Sequence, residues 1–292
     1  MHWGLVVANY FGLAMPGIRE LAGRPIAGVR GARVDPRGDV FHANIHLSNR
    51  ESLRARWSSA LEAELKATLD AADVRARCQV HAFLGALPPA LAAKYHNGGP
   101  VPDLEWDEGD GPVLGDVKTL AWCRTWYWRR GNRSLSPADC RAATVGPDLE
   151  AKLKRIERAA DVRAHLPAPQ PGVRGPLVAR LDQYGRVRGL VFGAFGGLSK
   201  DARSLLVFCA GRIADRTWRA DNAASRDAAF GVTLRRLYAQ WGITCARWTA
   251  ITRLHGLRWA GGSDAFAYAP PRTDTAARLA DREAGYYAYA EG

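Results

Sequence analysis

Six carboxylates stand between Asp103 and Asp116 in the stretch GGPVPDLEWDEGDGPVLGDVKTLAW, and over residues 101–120 Lys118 is the one cation. Side chains alternate along a strand, so Asp116 and Lys118 share a face while Val117 turns to the other. A turn centred between Gly109 and Asp110 sets Asp103 directly opposite Asp116. A turn centred between Asp110 and Gly111 instead sets Glu105 opposite Asp116 and Asp103 opposite Lys118. Opposed residues have Cβ atoms about 5 Å apart, and like charges so placed destabilise the pair unless something compensates. Hard carboxylate oxygens select magnesium, which takes one or two protein carboxylates together with waters and substrate phosphate. A lysine beside such an ion hydrogen-bonds the attacking water and neutralises charge growing on a phosphate. Arginine holds its proton too tightly to share it, whereas a lysine responds readily to its surroundings.

Pro102-Asp103, twelve intervening residues, then Asp116-Val117-Lys118 resembles the signature of the PD-(D/E)XK, or restriction-endonuclease-like, nuclease superfamily. Those five residues are the motif, and the likeness in order of elements runs over 49–199. The resemblance implies a magnesium-dependent nuclease that hydrolyses phosphodiester bonds of DNA, an endonuclease before an exonuclease, with double-stranded DNA as partner. It implies Asp103 and Asp116 as metal ligands, the Val117 carbonyl as a further ligand, and Lys118 acting on the water. Members often add an acid from the first helix, for which Glu62 and Glu64 are the candidates. At 100° per residue Glu64 falls inside the apolar stripe of that helix and Glu62 at its edge, and Glu64 is preferred. Such nucleases are frequent in mobile elements and defence systems. The alternative is a degenerate nuclease fold serving as a non-catalytic nucleic-acid-binding or structural module.

The elements that must position these groups are legible on either side. Trp57, Leu61, Leu65 and Leu69 recur every four residues after a capping signal at Ser48 or Asn49, which predicts an amphipathic helix. Residues 74–84 read as a strand, 88–99 as a short helix or loop, and 101–106 and 113–120 as a hairpin around DEGDG. A basic helix is expected from Pro147 onward, followed by the Pro-rich break PAPQPGVRGP. Residues 187–194 read as a buried strand entering a glycine turn and a helix. Two further helices, over 223–241 and 244–255, are expected to join at Gly242, a pattern open to a helix-turn-helix reading. The expected class is α/β: a mixed central sheet flanked by helices, with a restriction-endonuclease-like core and additional C-terminal helices. The division expected is an N-terminal extension over 1–48, the nuclease-like domain over 49–260 and a loose tail over 261–292.

Composition sets the background. The 292 residues carry 41 Lys and Arg against 29 Asp and Glu, a net charge of +12 that favours polyanions. The basic field follows the acidic stretch, with 25 Lys or Arg against 10 Asp or Glu over 121–260. Arg129, Arg130 and Lys154 are the expected nucleic-acid contacts, and neutralising them should lessen a steep salt dependence. Five scattered cysteines without a CxxC pair fit a reducing, intracellular setting in cytoplasm or nucleus. Cys78 with His81 lacks a second pair to complete a zinc site. His42 and His46 read as surface or capping residues, and VFGAFGG matches neither common phosphate-loop pattern. The apolar start has no basic n-region and is broken by Asn9 and Gly12, so it reads as core rather than leader. No stretch reaches the length of a membrane span, and no membrane partner is expected.

Overall fold

The computed structural model describes residues 18–26, 31–43, 53–78, 84–85, 87–96, 102–120, 136–166, 173–184, 186–193 and 196–257. In chain order these form α1 (Asp39–Ala43), α2 (Leu53–Ala71), β1 (Ala76–Cys78), α3 (Pro89–His96), β2 (Leu104–Asp107) and β3 (Pro112–Leu120). The long α4 (Pro137–Glu157), the single turns α5 (Ala160–Arg163) and α6 (Pro176–Ala179), β4 (Arg188–Gly193), α7 (Lys200–Thr217) and α8 (Arg226–Leu257) complete them. The stretch over 261–292 lies outside the described residues, as do residues 1–17 and His46.

The four strands lie in the order β1-β2-β3-β4. β1, β2 and β3 are antiparallel neighbours, β2 and β3 through a tight hairpin and β1 through the longer connection that holds α3, whereas β4 runs parallel to β3 after the α4 crossover. One face of the sheet presents Leu104, Trp106, Val117, Leu190 and Phe192 to the apolar stripe of α2 and to α7 and α8. Leu114 and Val187 pack on the other side against Val145, Leu149, Leu153 and Ile156 of α4 and against α6. Leu120 and Val191 meet Ala138 at the start of α4. The sheet is therefore covered on both faces, as its parallel pair requires. Gly189 permits the close approach of α4, because a Cβ there would fall 2.5 Å from the Ala142 backbone.

The outer edge of β4 is closed by the helix that follows it. Ser199 caps α7 by accepting from the Ala202 N–H, while its hydroxyl also donates to the Gly189 carbonyl at 2.7 Å and accepts from the Val191 N–H at 3.1 Å. Asp201 accepts from the Gly189 N–H at 3.1 Å and from Arg186 at 2.5 Å. The glycine turn thus folds the chain back onto its own strand, leaving no open edge for another chain at these positions.

Two local expectations change, and one turn residue is tied down across the fold. α4 begins ten residues before Pro147, at the Ser136 cap with Pro137 in the first turn, and runs through Pro147. An internal proline costs a helix about 3 kcal/mol. Here the buried row Val145, Leu149, Leu153 and Ile156 opposes that cost, and Arg141 reaches across the proline to Asp148 at 2.8 Å. Gly242 does not divide two helices, since α8 is continuous from Arg226 to Leu257, which removes the helix-turn-helix. Trp241 and Cys245, both buried, hold the helix through that glycine. Glu108 is no solvated turn residue: it pairs with both terminal nitrogens of Arg188 at 2.5 and 2.6 Å and accepts from the Trp106 indole at 3.0 Å.

Candidate active site

The hairpin ladder pairs Asp107 with Pro112, Trp106 with Val113, Glu105 with Leu114 and Leu104 with Gly115. One further step in that register sets Asp103 opposite Asp116, the first of the two registers open to the sequence. The turn suits it: Gly109 and Gly111 take φ of 108° and 123°, and Asp107 Oδ1 accepts from both of their N–H groups. Gly115 leaves room for the Trp106 ring, since a Cβ there would meet the indole at 2.6 Å.

Alternation on β3 puts Leu114, Asp116, Lys118 and Leu120 on the face turned to α4, with Val117 buried on the other. Asp103 joins this group from the start of β2, where its Oδ2 accepts from the Val117 N–H at 2.6 Å. The Lys118 ammonium lies 2.5 Å from Asp116 Oδ2 and 3.9 Å from Asp103 Oδ2, and donates to the Val117 carbonyl at 3.3 Å. The side chains of Asp103 and Asp116 are 15% and 17% exposed and that of Lys118 30%, so the cluster is accessible but poorly hydrated.

Burial, followed by the neighbouring Asp116 charge, pushes the Asp103 carboxyl up to about 8 against the opposing pull of Lys118. Two carboxylates this close do not both ionise comfortably beside one lysine. The oxygens of Asp103, Asp116 and the Val117 carbonyl are hard donors converging on one cation, the ammonium of Lys118. That donor set fits magnesium, which is held by one or two carboxylates and completes its octahedron with water. Among the described residues no three His, Cys, Asp or Glu side chains converge as a metal cage.

The two helix acids part company. The Glu64 carboxylate accepts from Gln240 of α8, so this side chain lies on the α8 flank of α2, while its backbone carbonyl accepts from Thr68 one turn on. Glu62 is 200° around the helix from it, and its charge reaches both Asp103 and the Cys78 thiol of β1. Burial first, then Glu62, Asp70 and Asp103 against Lys66, raises that thiol above its ordinary value. Cys78 was not legible as a neighbour of the site; its signal is the row Glu62, Lys66 and Asp70, spaced by four along one side of α2.

Arg129 and Arg130 lie outside the described residues. Lys154 stands half-exposed on α4, paired with Glu150 one turn earlier at 2.6 Å, and Glu150 also faces Arg174 at 3.8 Å. The structure therefore gathers Asp103, Asp116, Val117 and Lys118 at one point and turns Glu64 toward α8. Among the described residues no helix is long and apolar enough to cross a membrane. The cysteines described, Cys78, Cys140, Cys209 and Cys245, are free. Neither a protein-family model, nor a curated protein, nor a solved structure matches this chain.

Proposed function

We propose that the chain is a magnesium-dependent nuclease with a restriction-endonuclease-like core that hydrolyses phosphodiester bonds of DNA, cutting internally rather than from ends. The observation that carries this reading is the antiparallel register that brings Asp103 opposite Asp116, with the Lys118 ammonium against both carboxylates and the Val117 carbonyl. The order of helix, strand, hairpin, crossover helix and parallel strand over 49–199 supports it too.

Asp103 and Asp116 would hold magnesium, with the Val117 carbonyl beside them. Glu62, rather than the Glu64 preferred on periodicity, is the helix acid whose charge is felt at Asp103. Magnesium held there would supply a Lewis acid and a more acidic water. Lys118 would orient the attacking water by hydrogen bonding and offset the charge that grows on the phosphate. The chain acts inside cells on double-stranded DNA, with Arg129, Arg130 and Lys154 as backbone contacts.

A second reading, a non-catalytic nucleic-acid-binding module, draws on one observation. Lys118 already serves as counter-ion to both aspartates, and among the described residues no third His, Cys, Asp or Glu side chain converges with them. The two readings part in one assay: cleavage of linear and supercoiled DNA across a magnesium titration, with EDTA as control and Lys118→Ala beside the wild type. Magnesium-dependent cleavage lost in the variant supports the nuclease. Identical DNA binding with magnesium and with EDTA, and no cutting, establishes the module.

A further inference from the structure

The longest helix carries a charge pattern that the hairpin does not use. From Ala228 to the end of α8 the sequence holds four arginines and no carboxylate. Arg253 is turned inward against Asp39 at 2.7 Å, and Arg226, at the helix start, is engaged by Asp215 and Asp227. Arg235, Arg236 and Arg247 face solvent. Among the described residues no carboxylate pairs with Arg236 or Arg247.

Exposed large apolar side chains collect on the same helix: Val232 at 58%, Ile243 at 50% and Tyr238 at 37% exposure. At 100° per residue Val232, Arg236, Ile243 and Arg247 fall within an arc of about 60°, and they span about 22 Å of helix. Gln240, which meets Glu64 of α2, borders this stripe, so α2 runs along one side of it. Tyr238 lies on another side of the helix, so the stripe joins unpaired arginines to the exposed aliphatic side chains of Val232 and Ile243, and arginine is enriched at binding faces.

Charge decides the occupant. A second copy docking through this face in a two-fold contact would set α8 against α8, and after Asp227 the helix has no acid to meet the arginines of its partner. A polyanion does meet them. We propose that the outward stripe of α8, centred on Arg236 and Arg247, is a docking track for the phosphate backbone of duplex DNA, lying outside the hairpin site. The choice of DNA rests on the nuclease reading. Each phosphate neutralised there releases counterions, and the track holds the duplex without reading its sequence.

The test uses the full chain, a short blunt-ended duplex of mixed sequence, and calcium in place of magnesium to prevent cutting. Binding is followed by fluorescence anisotropy over a salt series for the wild type, Arg236→Gln with Arg247→Gln, and Arg236→Lys with Arg247→Lys. The glutamine pair should lower the slope of log affinity against log salt by about two and weaken binding near physiological salt on the order of ten- to a hundredfold. The lysine pair should restore most of both, and the salt slope, which follows charge rather than stem packing, is the reading that assigns the effect to phosphate. Circular dichroism melting of each variant guards against misfolding, and calorimetric magnesium binding reports the hairpin separately. A glutamine pair with wild-type slope and affinity overturns the track and leaves the nuclease reading standing. A wild type that binds magnesium but no duplex also overturns it. Loss of slope in a protein that binds no magnesium keeps the track and removes the nuclease.

Discussion

Lys118 touches every oxygen group that a cation at the hairpin would take: the carboxylates of Asp116 and Asp103 and the carbonyl of Val117. Its ammonium must yield these oxygens for an ion to enter. Lys118→Ala should therefore leave magnesium affinity unweakened while lowering cleavage by about 10² to 10⁴, the usual loss when one electrostatic or proton-transfer group is removed. A structural lysine would show the reverse, with lost metal binding and lost stability together. Asp116→Asn and Asp103→Asn should abolish both magnesium binding and cutting. The raised Asp103 carboxyl adds a pH signature. Its folded value near 8 lies above the ordinary 3.8, so in the metal-free protein it favours the fold at low pH and loses that contribution as pH rises from about 4 to about 8. Magnesium demands the carboxylate, so at pH near 7 its binding should expel close to one proton, falling toward none above about pH 9. Calorimetry in buffers of different ionisation enthalpy measures this directly. Proton release near zero at neutral pH would mean that Asp103 is either ionised before the metal arrives or is not a ligand, and Asp103→Asn separates the two.

Strands and helices carry the site through ties that periodicity shows only in part. The helix over α2 and the two strands of the hairpin were legible because their apolar residues recur at four and at two, and the core uses Trp57, Leu61, Leu65 and Leu69 as that pattern requires. The choice between registers was not legible, since Gly109-Asp110 and Asp110-Gly111 both make acceptable turns and the arbiter is the Asp107 carboxylate under two glycine N–H groups. Pro147 and Gly242 read as punctuation, yet both lie inside helices, because burial over several turns outweighs the local cost of one residue. Glu64 misled for a related reason: an apolar stripe tells which face is covered, but α2 is covered by the sheet and by α8, and Glu64 belongs to the α8 side. Glu108 shows the same limit, its partner Arg188 being eighty residues away. That half-buried pair joins the hairpin turn to β4 and lies over Trp106, so Glu108→Gln should cost roughly 1–3 kcal/mol in chemical denaturation. Magnesium affinity should change little. A variant as stable as the wild type would show that the turn is held by its own glycines and by Asp107.

Among the described residues, acid and unpaired base lie on different layers. The acids of the hairpin cluster within the sheet, while Arg236 and Arg247 of α8 sit on the outer helical layer. The same helix also receives the N-terminal part of the chain. Phe41 of α1 fits where Gly256 has no side chain, a Cβ there falling 2.2 Å from the ring, and Asp39 of α1 meets Arg253, whose side chain is only 3% exposed. Burial holds the Arg253 guanidinium below its ordinary value, and Asp39 opposes that shift. A segment counted as an extension on sequence thus closes the end of the last helix. Removing one partner of a buried ion pair costs about 3–5 kcal/mol, because the remaining charge stays in a poorly hydrated place. Asp39→Ala should accordingly lower the melting temperature by several degrees. Asp39→Ala combined with Arg253→Met should recover much of that loss, since an apolar side chain of similar length suits a place from which water is largely excluded. Magnesium binding and the duplex-binding salt slope should survive in both, as neither Asp39 nor Arg253 belongs to the hairpin or to the exposed stripe. Equal melting of Asp39→Ala and wild type would instead mean that α1 adds nothing to the fold, and that α8 is held by α2 and α7 alone.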